Sequence, residues 1–291
     1  MNGNFIPHPP AVIDRIVVAL FFLVTLAAHA IYAWLVLWPN ASALVALRIF
    51  LLDQGPPLFA CGQIFLSFIV LAWLLRGHKW TAAFAAICAL GFTAEFIGVS
   101  TGMPFGRYYF TDMLGPKILG VVPWVMPLAW FNIAFPSHVI ASAAFPKRPL
   151  FRRLLGAWLM LVWDLSIDPF MAHVYPYWVW KNPGPYYGIP ISNFAGWFFV
   201  GVLAMTVLDR VRKSAMPKNL LAAYYAANLA MPVGLVCLSG MWPAAALSIV
   251  SAGLAFWAVW ISLEFAIANG VNDACTREVY EKNKKSKFLS S

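Results

Sequence analysis

Three carboxylates stand where carboxylates are costly. Glu95 lies in the stretch FTAEFIGVSTGMPFGRYY, from Phe92 to Tyr109, inside an apolar run long enough to cross a bilayer. Asp164 and Asp168 lie in a second such run, in WDLSIDPFM from Trp163. An ionisable side chain at that depth persists where something pairs it or uses it. One reading is structural: buried hydrogen bonds to Trp, Tyr, Asn or Arg orient the helices, and Asp168 before Pro169 serves a helix end. The other is proton transfer. A carboxyl held away from water favours its neutral form and can act as a general acid. Neighbouring carboxyls titrate as a set, so one can donate a proton while another accepts one.

The elements that carry these acids follow from composition. Hydrophobic residues make up 62% of the 291 and charged residues 11%, against roughly 45–50% and about 25% in an ordinary soluble domain. With a mean hydropathy of +0.75, the expected fold class is all-α, a polytopic transmembrane helical bundle. Spans are expected at about 16–38, 56–75, 80–98, 118–145, 154–172, 191–208, 219–238 and 243–265, because about 20 apolar residues cross a core of about 30 Å. Residues 1–14 read as a polar tail, 15–268 as one bundle and 269–291 as a basic tail. Ala43 to Leu52, interrupted by Arg48, reads as an interfacial or re-entrant helix. With the amino terminus inside, sixteen Lys and Arg fall inside, and only Arg48, Arg107, Lys117 and Lys181 fall outside. That bias supports eight spans with both termini cytoplasmic. It also accounts for the net charge of +9 without nucleic acid, through topology and anionic lipid.

Depth then relates the acids to one another. Glu95 is fifteen residues into its span and Asp168 fourteen into its own, so both reach about 21–22 Å into the core. Asp164 shares a face with Asp168 at i, i+4. Gly91, Glu95, Gly98 and Gly102 share another face, and small residues there imply close packing against protein. Two outer loops, 99–117 and 173–190, are rich in aromatics, Gly and Pro. They read either as belt residues or as a structured cap. Pro123, Pro127 and Pro136 are expected to kink or break the span at 118–145.

Other chemistry is poorly supported. Cys61, Cys88, Cys237 and Cys275 show no metal or disulfide spacing. His29 reads as a packing residue, His138 and His173 are ambiguous, and no HxxxH spacing supports a metal. Glu264 lies near a span end. Phosphate loops, nucleophile elbows and dinucleotide fingerprints are absent, so no cofactor is expected. Ala28-His29-Ala30 mimics a leader cleavage site, but the apolar run continues to Trp38.

Four segments carry a resemblance. EFIGVSTGMPFGRYY from Glu95, VPWVMPLAW from Val122, WDLSIDPFM from Trp163 and YYGIPISNFAGW from Tyr186 resemble the carotenoid-biosynthesis membrane protein family over about residues 90–200. Its described members are carotenoid 1,2-hydratases and bisanhydrobacterioruberin hydratases. The resemblance implies hydration of the terminal 1,2 double bond of an acyclic end group of lycopene or γ-carotene type. Protonation at C2 would leave a tertiary cation at C1, and water would capture it. On this reading Glu95, Asp164 and Asp168 are catalytic. The substrate is bounded by Arg107, Tyr108, Trp130, Asn132, Trp163, Trp178, Trp180, Tyr186, Tyr187 and Asn193. The implied setting is a prokaryotic inner membrane, with membrane lipid and other pathway enzymes as neighbours. Competing readings are a lycopene-cyclase-type isomerase, a pigment or lipid carrier, and a proton-coupled transporter.

Overall fold

The computed structural model describes residues 12–38, 45–211, 216–262 and 264. The expected amino-terminal tail, apart from residues 12–14, and the basic tail at 269–291 lie outside them. Nine helices appear among the described residues. They are α1 (Val12–Leu37), α2 (Val45–Asp53), α3 (Gly55–Leu74), α4 (Thr81–Thr101), α5 (Met126–Ala144), α6 (Pro149–Pro169), α7 (Ile191–Val211), α8 (Lys218–Leu238) and α9 (Trp242–Ser262).

Seven of these, α1, α3, α4, α6 with its extension, α7, α8 and α9, are long and apolar enough to cross a membrane. α5 is the eighth long helix. Its Asn132, Ser137 and His138 lower its hydropathy, and nearly all its side chains are buried. It packs on α3, α4, α6, α7 and α8, so it is enclosed by protein where the outer helices meet lipid. The outer helices expose Leu, Ile, Phe and Trp in quantity. An integral, multi-pass bundle explains that surface, since lipid tails cost an apolar side chain nothing.

The long helices alternate between two ends. At one end Asp14 of α1 pairs with Arg76 just beyond α3, at 2.6 Å, and Arg152 of α6 with Asp209 of α7, at 2.8 Å. Ser262 of α9 likewise donates to the Ala144 carbonyl. At the other end a cap closes the bundle. β1 (Tyr108–Phe110) pairs antiparallel with β4 (Trp178–Trp180), Tyr108 opposite Trp180 and Phe110 opposite Trp178. β2 (Lys117–Ile118) and β3 (Val122–Pro123) form a small hairpin. The two aromatic loops are therefore one structured cap, joined by a ladder.

Two boundaries differ from the sequence expectation. The span expected at 118–145 begins as helix only at Met126, because Leu119 and Gly120, both at positive φ, turn the chain into the β2–β3 hairpin. Pro123 lies in that hairpin and Pro127 in the first turn of α5, so Pro136 alone interrupts this helix. Pro169 does not stop α6. A π-helical turn, Phe170–Val174, carries it on toward the cap. Of the helix expected from Ala43 to Leu52, the described residues form the short α2 at Val45–Asp53; Ala43 and Leu44 lie outside the described residues.

Candidate active site

Glu95 owes its surroundings to the glycines on its own face of α4. A Cβ at Gly91 would lie 2.4 Å from Trp130 Cγ, so the indole rests directly on the helix backbone. One turn further on, Trp130 Nε1–H donates to Glu95 Oε1 at 2.9 Å. Gly98 performs the same service for the cap. A Cβ there would meet Phe105 at 2.8 Å and the Tyr108 hydroxyl at 2.9 Å. The Tyr108 hydroxyl donates to Glu95 Oε2. Gly102, at φ +86°, ends α4 in the left-handed conformation and sends the chain into the cap. Both oxygens of Glu95 thus accept from neighbours, and its residue is 5% exposed. Burial first, then the charge of Glu95, push the Tyr108 phenol well above its usual range, which keeps it a donor.

Asp164 and Asp168 face the same interior from α6. Their spacing puts them one turn apart, and they lie close enough to hydrogen-bond to each other. Asn193, in the first turn of α7, joins them: its amide donates to Asp164 Oδ2 at 3.1 Å and to Asp168 Oδ2 at 2.6 Å. Asp164 is fully buried, and its Oδ1 has no donor among the described residues. Glu95 interacts electrostatically with both aspartates. The three acids therefore converge, as their depths imply.

Glu95 and Asp168 meet at a cavity of about 80 Å³ beneath the cap, several times the space that one water needs, with Asp164 behind Asp168. Glu95, Asp168 and Asn193 border it, with Tyr108, Trp130, Trp163, Trp178, Trp180 and Trp197. Trp130 stacks on Trp197 at 4.5 Å between centroids and 3° between planes. Trp163 approaches the same Trp197 at 6.4 Å. The indole N–H groups of Trp163 and Trp180 are committed to the carbonyls of Asn228 and Phe105. Their rings are left as apolar walls. The site thus combines buried carboxyl groups, aromatic faces and room for only a few waters.

Of the ten residues expected around the substrate, six lie at the cavity and four do not. Tyr108, Trp130, Trp163, Trp178, Trp180 and Asn193 border the cavity. Arg107 does not; strand alternation turns Tyr108 and Phe110 inward and leaves Arg107 and Tyr109 exposed. Asn132, two residues from Trp130, points to another side of α5 and donates to the Ile64 carbonyl of α3 at 2.9 Å. Tyr186 packs outside the cavity, its hydroxyl on the Leu165 carbonyl at 2.7 Å. Tyr187, at φ +52°, lies edge-on to His173. Trp197 was absent from the expected set. Its i, i+4 relation to Asn193 is the signal that identifies it.

Two of the histidines singled out in the sequence have structural partners. His29 Nε2 contacts the Met231 carbonyl at 2.9 Å, in keeping with packing. At the far end, Asp209 accepts from Arg152 and Arg153, each at 2.8 Å, and pairs with His138 at 2.9 Å.

Comparison with known proteins gives this arrangement a family. The profile of the family described as "Carotenoid biosynthesis protein" matches residues 57–255. This reaches well beyond the 90–200 stretch on both sides and takes in all three acids. Bisanhydrobacterioruberin hydratase from Haloarcula japonica is 32% identical over 131 residues. The aligned part spans 44% of this chain and 44% of that protein. No solved structure matches. The chain belongs to the carotenoid biosynthesis protein family.

Proposed function

We propose that this member of the family is a carotenoid 1,2-hydratase, adding water to the terminal trisubstituted double bond of an acyclic end group of lycopene or γ-carotene type. The observation that carries the proposal is that Glu95 and Asp168 border one small, aromatic-walled cavity, with Asp164 joined to Asp168 through Asn193. The relative named as a hydratase agrees with it.

Hydrating an isolated alkene needs a strong acid, a shelter for a cation and one placed water. In the proposed mechanism Asp168, bordering the cavity, delivers its proton to C2. A C2–H bond forms, the π bond breaks and the positive charge falls on C1. Asp164 sits behind Asp168, and a proton held between the two carboxyls under the Asn193 amide supplies the acid. The ring faces of Trp130, Trp163 and Trp197 attract the cation, and preorganised dipoles cost no reorganisation as charge develops. Glu95 is built as an acceptor. It orients the water, whose oxygen bonds to C1 and whose proton passes to the Glu95 carboxylate. Return of that proton to the aspartate pair through cavity water restores the site, and the net change is one added water.

Expression in cells that accumulate lycopene or γ-carotene tests this reading by product mass. A new pigment heavier by one water supports it. A new pigment of unchanged mass assigns a cyclase-type reaction, in which the same cation closes a ring. Unaltered pigment in cells with confirmed membrane expression contradicts catalysis on these end groups.

A further inference from the structure

The acid cavity is too small for a substrate whose apolar chain is about as long as the ~30 Å membrane core, so most of such a chain must lie elsewhere. A second cavity, of about 330 Å³, adjoins it between α1, α2, α3, α8 and the π-helical turn. Phe59 and Leu235 border both cavities, so these two side chains are the partition between them.

Three features describe what the second cavity would hold. Among the described residues, no charged side chain borders it. Two of its three tyrosines have committed hydroxyls: Tyr32 is hydrogen-bonded to Ser239 at 2.9 Å, and the Tyr177 hydroxyl donates to the Pro56 carbonyl at 2.6 Å. Tyr32 packs edge-on to Phe170 at 5.5 Å, and Phe170 on Tyr175 at 5.7 Å, making a fixed aromatic wall. Its rim consists of Ile31, Phe50 and Leu58, which are 49%, 49% and 62% exposed on outer helix surfaces. The mouth therefore opens sideways toward lipid, between α1, α2 and α3, and not through the cap.

We propose that this second cavity is the binding site for the polyene chain of the substrate whose end group occupies the acid cavity. The chain passes the Phe59–Leu235 partition and leaves through the lateral mouth into the bilayer. The inference rests on the proposed hydratase reading for the identity of the ligand. Its occupant is a linear, uncharged polyene, because continuity with the acid cavity, aromatic walls and the missing charge all fit that class. An acyl chain of membrane lipid is the competing occupant.

The test uses the full-length protein in nanodiscs with lycopene as the probe, read by quenching of tryptophan emission and by turnover. Ala28→Phe fills the cavity from α1. Gly55→Phe fills it from α3, where an added Cβ meets only Leu51, at 3.8 Å. Leu254→Phe, on the exposed face of α9, controls for an added ring. Each filling variant that remains monodisperse is expected to weaken lycopene binding at least about tenfold, with the control within about twofold. Wild-type affinity in the filling variants overturns the proposal, as does failure of wild-type protein to bind lycopene. So does loss of a co-purifying phospholipid from those variants with lycopene binding unchanged. Tight, cavity-dependent binding without any hydrated product leaves the polyene site standing and removes the hydratase reading, so the two fail separately.

Discussion

Replacing Gly91 by alanine tests the central contact of the site without touching an acid. The added Cβ would lie 2.4, 2.7 and 2.8 Å from Trp130 Cγ, Cβ and Cδ1, where ordinary contact begins at 3.4 Å. Two of these atoms belong to the stem of a side chain that is 1% exposed and stacked on Trp197, so no flexible tip can yield. Trp130 must retreat by about 1 Å or α4 must move. Overpacking of this kind costs about 1–3 kcal/mol. A 1 Å retreat also carries Nε1 out of range of Glu95 Oε1, now 2.9 Å away, and a hydrogen bond to a charged group contributes about 1.5–3 kcal/mol. Strain and loss of the bond are alternatives in part, so the expected destabilisation is about 2–4 kcal/mol. Gly62→Ala supplies the contrast. Nothing lies within 4 Å of its added Cβ, and Gly to Ala inside a helix stabilises by about 0.5–1 kcal/mol. Thermal denaturation in detergent, followed by near-UV circular dichroism of the indoles, is expected to fall by several degrees for Gly91→Ala and to hold or rise for Gly62→Ala. Turnover of lycopene by Gly91→Ala should fall about a hundredfold, the scale of a 1 Å misplacement in a catalytic constellation. If Gly91→Ala melts and turns over like Gly62→Ala, the argument from close approach is refuted.

Glu95→Gln, Asp164→Asn and Asp168→Asn should each lower turnover by at least about a hundredfold, the usual contribution of general acid–base catalysis, while membrane insertion, followed by fractionation, is retained; near-normal turnover in all three would leave these acids an orienting role alone. Tyr108→Phe removes one donor from Glu95 and should lower turnover about ten- to a hundredfold, from a bond contributing about 1.5–3 kcal/mol, with the cap still closed to limited proteolysis. Asp209→Asn strips the partner shared by Arg152, Arg153 and His138 and lies far from the cavity. It should cost about 2–4 kcal/mol of stability, discounted because both arginines are partly exposed. Turnover per folded molecule should be unchanged, and a specific loss of turnover would contradict its assignment as a helix staple.

The parts of the site that follow from a fixed helical rise were legible in the chain. A constant rise sets the depth of Glu95 and Asp168, and a constant turn sets Asp164 beneath Asp168. The glycine face of α4 also read correctly, because the residues missing from a helix surface mark where something else must sit. What the sequence hid depends on pairing between distant segments. β1 and β4 are three residues each and about seventy apart, and no local pattern encodes their register. Once Tyr108 is set opposite Trp180, alternation alone turns Arg107 outward, away from the cavity. Tyr186 and Tyr187 lie in a tight turn, in which Gly184 bridges Gly188 and both half-buried rings pack outside the cavity. Trp197 was within reach of helical spacing from Asn193. It was overlooked because an aromatic residue in an apolar span usually packs or anchors.

The most direct test supplies purified, reconstituted protein with lycopene in water labelled with heavy oxygen and deuterium. The account predicts one heavy oxygen in a tertiary alcohol at C1 and one deuterium at C2, with label absent when Glu95→Gln, Asp164→Asn and Asp168→Asn are combined. Unlabelled or ring-closed product, or full labelling by the triple variant, would contradict it.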